Sequence, residues 1–105
     1  MAAAAEALLL AERGELQQAE ALARTAVATA ETRTDAVSWQ ASTHEDLATV
    51  LERRGRIDEA REELERALTI WERKGSLPCA ERIRAQIASL RERDRATLSQ
   101  PDPLP

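Results

Sequence analysis

The fold is decided by residues 48–60, ATVLERRGRIDEA, which repeat residues 7–19, ALLLAERGELQQA, at a spacing of 41 positions. The alignment pairs Ala7 with Ala48, Gly14 with Gly55 and Ala19 with Ala60. In each copy an apolar stripe leads into a glycine, and a second stripe begins almost at once. Glycine readily adopts the left-handed conformation that ends a helix and turns the chain. Each copy therefore predicts a helical hairpin.

Spacings of three and four between apolar residues extend this pattern to five helices. Thr34 or Asp35 is the expected N-cap of the third helix, Gly75 ends the fourth, and Ser76 and Pro78 begin the fifth. The predicted helices cover about residues 2–13, 15–33, 35–54, 57–74 and 76–94. The chain is therefore predicted to be all-α, with a disordered, proline-rich tail over 95–105.

The predicted core is aliphatic and rich in alanine, because Trp39 and Trp71 are the only aromatic residues. In the third helix the inward stripe is Val37, Gln40, Thr43 or His44, Leu47, Ala48 and Leu51. In the fourth it is Ile57, Ala60, Leu64, Ala67, Leu68 and Trp71, and in the fifth Ala80, Ile83, Ile87 and Leu90. Small residues in these stripes allow paired helices to pack closely.

The second copy resembles a tetratricopeptide repeat, and the first resembles one more weakly. The resemblance is carried by Leu47, Ala48, Leu51, Gly55, Ile57, Ala60, Leu64, Ala67, Leu68 and Ile70. His44 replaces the usual early aromatic residue, Glu31 and Glu72 stand where a closing proline is usual, and the 41-residue period is long. The pattern is similar to an extended bacterial variety of the repeat. It implies antiparallel hairpins in a right-handed stack, with repeats at about 2–34 and 35–75 and a capping helix at about 76–94 in a domain spanning 1–94.

Residues 55–60, 64–68, 71–75 and 80–82 resemble the closing repeats of large bacterial regulators, in which such repeats follow a nucleotide-cyclase or ATPase core. This resemblance implies a C-terminal helical region and no catalytic activity in it. The predicted function is a protein–protein interaction scaffold, as part or remnant of a larger bacterial signalling regulator. One alternative is an accessory segment that transmits regulation to a cyclase or ATPase core.

The first helix of each hairpin lines the groove of such a repeat array. In the second unit this face is expected to carry Ser42, Glu45, Thr49 and Glu52, with Arg53 at its edge. Repeats that clamp a peptide carboxylate carry basic residues there, whereas Glu45 and Thr49 do not suit an anion. The sequence therefore favours a basic or mixed-charge protein or peptide as the ligand.

The first helix is apolar nearly all round, which is expected of a helix with neighbours on more than one side. Leu8 and Leu9 are predicted to form an exposed apolar face. Terminal repeats usually need a polar cap. We therefore expect this face to meet another repeat, another domain or a second copy of the chain.

Two short segments invite a catalytic or metal-binding interpretation that the pattern does not favour. Consecutive residues on a helix point about 100° apart, so His44, Glu45 and Asp46 cannot converge on one metal ion. Cys79 has no nearby histidine and is expected to be a small packing residue at a helix start. No catalytic residue, cofactor or metal site is predicted.

Charge in the second half is expected to be mostly solvated. Glu59, Glu62, Glu63 and Glu65 lie among arginines at helical spacings, which predicts an exposed face with ion pairs. The arginines of the last helix, Arg82, Arg84, Arg91, Arg93 and Arg95, could contact nucleic acid, but acidic residues lie between them and no aromatic residue accompanies them. The net charge of −4 gives no electrostatic drive toward nucleic acid or an anionic membrane. With one cysteine and no long apolar run, the chain is expected to be cytoplasmic.

Overall fold

The computed structural model describes residues 2–33 and 37–99, with side chains over 6–33 and 37–93. This part of the chain contains five α-helices and no strand. The helices are α1 (Ala2–Glu12), α2 (Leu16–Glu31), α3 (Val37–Arg53), α4 (Ile57–Lys74) and α5 (Leu77–Ser99). The all-α prediction is confirmed. None of the described helices is both long enough and apolar enough to cross a membrane.

The turns after α1, α3 and α4 share one conformation. Gly14, Gly55 and Gly75 have φ angles of 84°, 79° and 80°. After each glycine, the next backbone N–H donates to the carbonyl five residues earlier, as from Arg56 to Leu51 at 2.9 Å. This Schellman pattern satisfies carbonyls that the helix end leaves free. The predicted role of the glycines is therefore confirmed.

Alanine forms the seam along which the helices approach. In α2 the buried residues are alanines at helical spacing, namely Ala19, Ala23, Ala26 and Ala30. Their counterparts Ala60 and Ala67 in α4 are fully buried. The predicted inward residues of α4 are buried, apart from Ile57 and Leu68, which are half-buried and pack against the core. The two helices of each hairpin thus contact each other partly through alanine methyl groups. The two hairpins contact each other where α2 packs against α3.

The last helix packs on α4 through Ala80, Ile83, Ile87 and Leu90. Its ion pairs give its direction: Arg84 and Arg91 pair with Glu72 and Glu65 of α4, so the two helices are antiparallel. Arg82 and Arg93 pair with Glu45 and Glu52 of α3, so α5 runs parallel to α3. Hence α5 has the position and direction of the first helix of a third hairpin.

Polar residues replace apolar ones on one side of α5. Its buried residues follow those of α3 at a spacing of 39 positions, with Ala80, Ile83, Ile87 and Leu90 matching Ala41, His44, Ala48 and Leu51. At the same spacing the buried Leu47 and Val50 of α3 become Gln86 and Ser89, which are exposed. One side of α5 is therefore apolar and packed, and the side that a further helix would need is polar.

The end of the last helix was predicted too early. Instead of stopping near residue 94, α5 continues to Ser99. No glycine or proline stands between Asp94 and Ser99, and the first proline is Pro101, which disfavours helical geometry in the residue before it. Residues 95–99 therefore belong to the helix. The expected caps Thr34 and Asp35, and residues 100–105 of the predicted tail, lie outside the described residues.

Two polar residues lie in the core between α3 and α4. His44 and Glu63 are both buried, and Nδ1 of His44 lies 2.6 Å from Oε2 of Glu63. His44 is buried, as is Thr43, in agreement with the inward stripe expected of α3. The prediction of Glu63 on an exposed acidic face is wrong. The reason is helical phase: Glu63 lies three residues after Ala60 and four before Ala67, on the apolar side of α4. A mutual hydrogen bond makes this burial tolerable.

Candidate protein-binding groove

A groove runs between the two parallel helices α3 and α5, with α4 as its floor. Its cavity has a volume of about 250 Å³. The lining residues are Glu45, Asp46, Ala48, Thr49 and Glu52 from α3, Leu64 from α4, and Gln86, Ser89 and Leu90 from α5. On α3, Glu45, Thr49 and Glu52 are spaced by four and three residues, so they share one face. The groove is thus acidic on one wall and neutral polar on the other.

Glu45 is held by two neighbouring helices. Its Oε2 accepts a hydrogen bond from Nε1 of the buried Trp71 in α4, at 3.0 Å. Its Oε1 lies 2.9 Å from Nη2 of Arg82 in α5. Farther along the groove, Glu52 pairs with Arg93 of α5. Both glutamates therefore form ion pairs with arginines of the chain itself.

Asp46 differs from Glu45 and Glu52 in having no cationic partner among the described residues. Burial is the larger cause and the neighbouring Glu45 carboxylate the smaller, and together they raise the pKa of Asp46 to about 6. A half-buried carboxylate beside another carboxylate is electrostatically unfavourable near neutral pH. A cation placed in the groove would therefore lower the free energy of ionised Asp46.

The structure brings together three of the five residues predicted for the groove. Glu45, Thr49 and Glu52 line the cavity, whereas Ser42 and Arg53 are exposed on α3 without lining it. Ser42 lies about one turn before Glu45, and Arg53 follows Glu52 by one residue, so it points to another side of the helix. The cavity is thus centred on the middle of α3.

Sequence reasoning missed Asp46, Gln86 and Ser89 as groove residues. Asp46 adjoins Glu45 but is absent from the face predicted to line the groove. The other two are polar interruptions on the α5 face that α3 fills with Leu47 and Val50. Aligning α5 with α3 at the 39-residue spacing would have shown both.

Residues 44–46, the segment with a possible metal-binding interpretation, are divided between the core and the groove. His44 points into the core toward Glu63, while Glu45 and Asp46 line the groove. Across the described ranges, no group of three His, Cys, Asp or Glu side chains could hold a metal ion. Cys79 is half-buried at the start of α5 and packs against the core cluster.

The described arginines of α5 all have carboxylate partners. Arg84 Nη2 lies 2.5 Å from Glu72 and Arg91 Nη2 lies 3.8 Å from Glu65, while Arg82 and Arg93 reach across to α3. Their positive charge is therefore largely compensated within the chain. The side chain of Arg95 lies outside the described residues.

On α1 the two predicted leucines differ in exposure. Leu9 is 55% exposed, whereas Leu8 is half-buried. The buried residues Ala7 and Ala11 hold α1 against the rest of the core. The apolar surface of α1 therefore centres on Leu9.

These features define a helical-repeat protein: two antiparallel hairpins of one design, each turning at a glycine, followed by a helix that is polar on one side. A tetratricopeptide repeat model matches residues 1–73, so the chain belongs to the tetratricopeptide repeat family. The family is in general one of non-catalytic protein-interaction modules. Comparisons with curated proteins and with solved structures give no match.

Proposed function

We propose that the groove between α3 and α5 binds a basic segment of a partner protein. The observation that carries this proposal is Asp46, a half-buried carboxylate with a raised pKa and no cationic partner among the described residues. Buried charges in proteins are normally paired. An arginine or lysine side chain in the groove would supply the pair.

The size of the groove indicates how much of the ligand enters it. At about 250 Å³ it is smaller than the roughly 300–1,000 Å³ typical of sites for drug-sized ligands. It therefore suits one long side chain rather than a folded element. The rest of the peptide would lie along the exposed surface of α3, where Ser42, Thr49 and Arg53 are accessible.

Guanidinium is the favoured ligand group because carboxylates of the groove already form ion pairs with guanidinium groups. Glu45 and Glu52 each pair with an arginine of α5. These arginines are more than half exposed, so solvent competes with each pair. A ligand arginine would approach the same carboxylates and would also reach Asp46.

The direct test is fluorescence anisotropy with two labelled peptides, one alternating arginine with glycine and one alternating glutamate with glycine. We expect saturable binding of the arginine peptide alone. The Asp46→Asn variant should bind it about tenfold more weakly, a loss of about 1.4 kcal/mol. Asp58→Asn is the matched control, because Asp58 is exposed on α4 outside the groove. Equal affinities for the two variants, or for the two peptides, would overturn the proposal.

We also propose self-association through α1, because Leu9 is exposed to 55% on a helix with few polar residues. A second copy of the chain would cover it. Light scattering over a concentration series should show dimers that Leu9→Glu removes. Leu77→Glu is the control, because Leu77 is 67% exposed on α5. A monomer at every concentration, or an equal effect of both substitutions, would exclude this role of α1.

The setting of the module is proposed from sequence resemblance. The 41-residue period and the segments at 55–60 and 80–82 support a part or remnant of a larger cytoplasmic regulator in bacteria. The alternative is an accessory segment of a cyclase or ATPase core. Coding sequence for such a core adjoining that of this chain would favour the alternative, and capture of a partner by the isolated chain would favour an independent adaptor.

Nucleic-acid binding through α5 has less support, because the described arginines of α5 are ion-paired. Binding of this kind would weaken steeply with added salt. It would also be lost on charge reversal at Arg84 and Arg91.

A further inference from the structure

A larger cavity lies at the other end of the α3–α4 hairpin from the Gly55 turn. It measures about 490 Å³. The first turn of α3 supplies Val37, Ser38, Trp39 and Gln40, and the end of α4 supplies Ile70, Arg73 and Lys74. It shares no lining residue with the groove. Its volume falls within the roughly 300–1,000 Å³ of small-molecule sites.

The wall of this cavity is mainly apolar. Val37, Trp39 and Ile70 are each half-buried, so their remaining surface faces water. Ile70 also packs against the core, which fixes one side of the cavity to the body of the protein. Apolar surface of this kind gains free energy when a ligand covers it, by about 25 cal/mol per Å².

The charged residues of the lining are all positive. Among the described residues, Arg73 has no hydrogen-bond or ion-pair partner, and the cavity has no carboxylate in its described lining. Lys74 donates to Oγ of Ser38 and lies 5.8 Å from the centroid of the Trp71 ring, and both of these partners are neutral. By contrast, Arg66 of the same helix pairs with Glu63. Two positive charges thus stand together, with no carboxylate among the described lining residues.

The two helix ends at this cavity have opposite partial charges. The first turn of α3 carries a partial positive charge and the last turn of α4 a partial negative one, so the net positive charge of the cavity comes from Arg73 and Lys74. Cations in the last turn of α4 also stabilise the C-terminal end of that helix. That effect accounts for a basic residue at this point, but it does not account for an open apolar cavity beside two of them.

We propose that this cavity binds a small organic carboxylate with an apolar aliphatic or aromatic body. The body would cover Val37, Trp39 and Ile70, and the carboxylate would pair with Arg73 and Lys74. A carboxylate can take two parallel hydrogen bonds from one guanidinium, which suits Arg73 in particular. Because the site is separate from the groove, this proposal does not depend on the peptide-binding proposal.

The probe for the test is 3-phenylpropionate, added to the full chain labelled with ¹⁵N. We expect saturable shifts of the amides of 37–40 and 70–74 and of the Trp39 indole N–H. The neutral 3-phenylpropanamide has the same body and should bind at least about tenfold more weakly. Inorganic phosphate, which has the charge without the body, should also bind more weakly.

The matched variants remove two positive charges each. Arg73→Gln with Lys74→Gln should weaken 3-phenylpropionate at least about tenfold, while Arg61→Gln with Arg91→Gln, outside the cavity, should leave binding unchanged. The amide spectrum of each variant reports whether it is folded. Absence of saturable shifts in wild type, equal binding of acid and amide, equal binding of phosphate, or equal loss in both variants would each overturn the proposal.

Discussion

Nδ1 of His44 lies 2.6 Å from Oε2 of Glu63, and both side chains are only 8% exposed. This contact joins α3 to α4 inside the core. A carboxylate only accepts hydrogen bonds, so Nδ1 of His44 carries the proton. The other oxygen, Oε1, lies 2.6 Å from Nη1 of Arg66, at the surface. One carboxylate oxygen of Glu63 therefore accepts a hydrogen bond from His44 in the core, and the other accepts one from Arg66 at the surface.

Removing one partner of this buried pair should lower the free energy of unfolding, whereas replacing both partners by apolar residues should lower it much less. Glu63→Ala leaves His44 buried without its partner and should lower the free energy of unfolding by about 3 kcal/mol. Replacing both residues by leucine should recover most of that loss, since α5 has Ile83 at the position equivalent to His44. Urea unfolding measures both effects. Glu62→Ala, at an exposed site, is the control and should change the free energy by about 0.5 kcal/mol or less. A small loss in the single variant would mean that the pair is not formed.

The same pair should make stability fall in acid. Burial works to raise the pKa of Glu63, but hydrogen bonding and charge from His44 and Arg66 outweigh it and hold the pKa below its usual 4.5. The stabilisation from Glu63 is therefore present above the unfolded pKa and is lost as the pH falls through the folded pKa. The urea midpoint of wild type should drop more between about pH 5 and pH 3 than that of Glu63→Gln. Parallel curves would contradict the lowered pKa.

Asp46 should affect stability in the direction opposite to Glu63: its contribution to stability is lost as the pH rises, and at a higher pH. Its folded pKa of about 6 lies above its usual 3.8, so its protonated form favours folding. The stabilisation is complete below the unfolded pKa and is lost as the pH rises through about 6. Asp46→Asn should therefore raise the melting temperature at about pH 7.5 more than at about pH 4.5, whereas Asp58→Asn should not show this difference. An equal effect of Asp46→Asn at both pH values would rule out a raised pKa.

The turn at Gly55 should depend on backbone geometry alone. An added Cβ would meet no atom within 4 Å, but the φ angle of 79° is unfavourable for residues with a side chain. Gly55→Ala should thus destabilise by about 1–2 kcal/mol. Gly55→Asn should lose less, because asparagine tolerates the left-handed region. If alanine and asparagine have the same effect in urea unfolding, the turn has relaxed out of that region.

Most of the fold could be predicted because it depends on local chemistry. Gly14, Gly55 and Gly75 mark the helix ends, and the alanines mark the faces that pack. The errors came from polar residues on apolar faces: the phase of Glu63 between Ala60 and Ala67 was visible, but its acidic neighbours suggested a solvated run. The end of α5 was predicted too early, near Asp94, although no glycine or proline stands between Asp94 and Pro101.

The groove could be predicted only in part. Its α3 wall follows from the spacing of Glu45, Thr49 and Glu52. The residues of its α5 wall, Gln86 and Ser89, follow only from aligning α5 with α3 at the 39-residue spacing, and the distance between the two helices does not follow from periodicity. The cavity of Val37, Trp39, Ile70 and Arg73 likewise requires two helix ends to meet in space.

The central claim is that the acidic face of α3 opposite α5 is where a basic partner binds. Amide shift mapping with the arginine–glycine peptide tests it most directly. The account predicts that shifts are concentrated at residues 45–52 and 86–90, and that Asp46→Asn reduces them at equal peptide concentration. Shifts spread evenly over the acidic surface, or centred on α1 or α2, would contradict it.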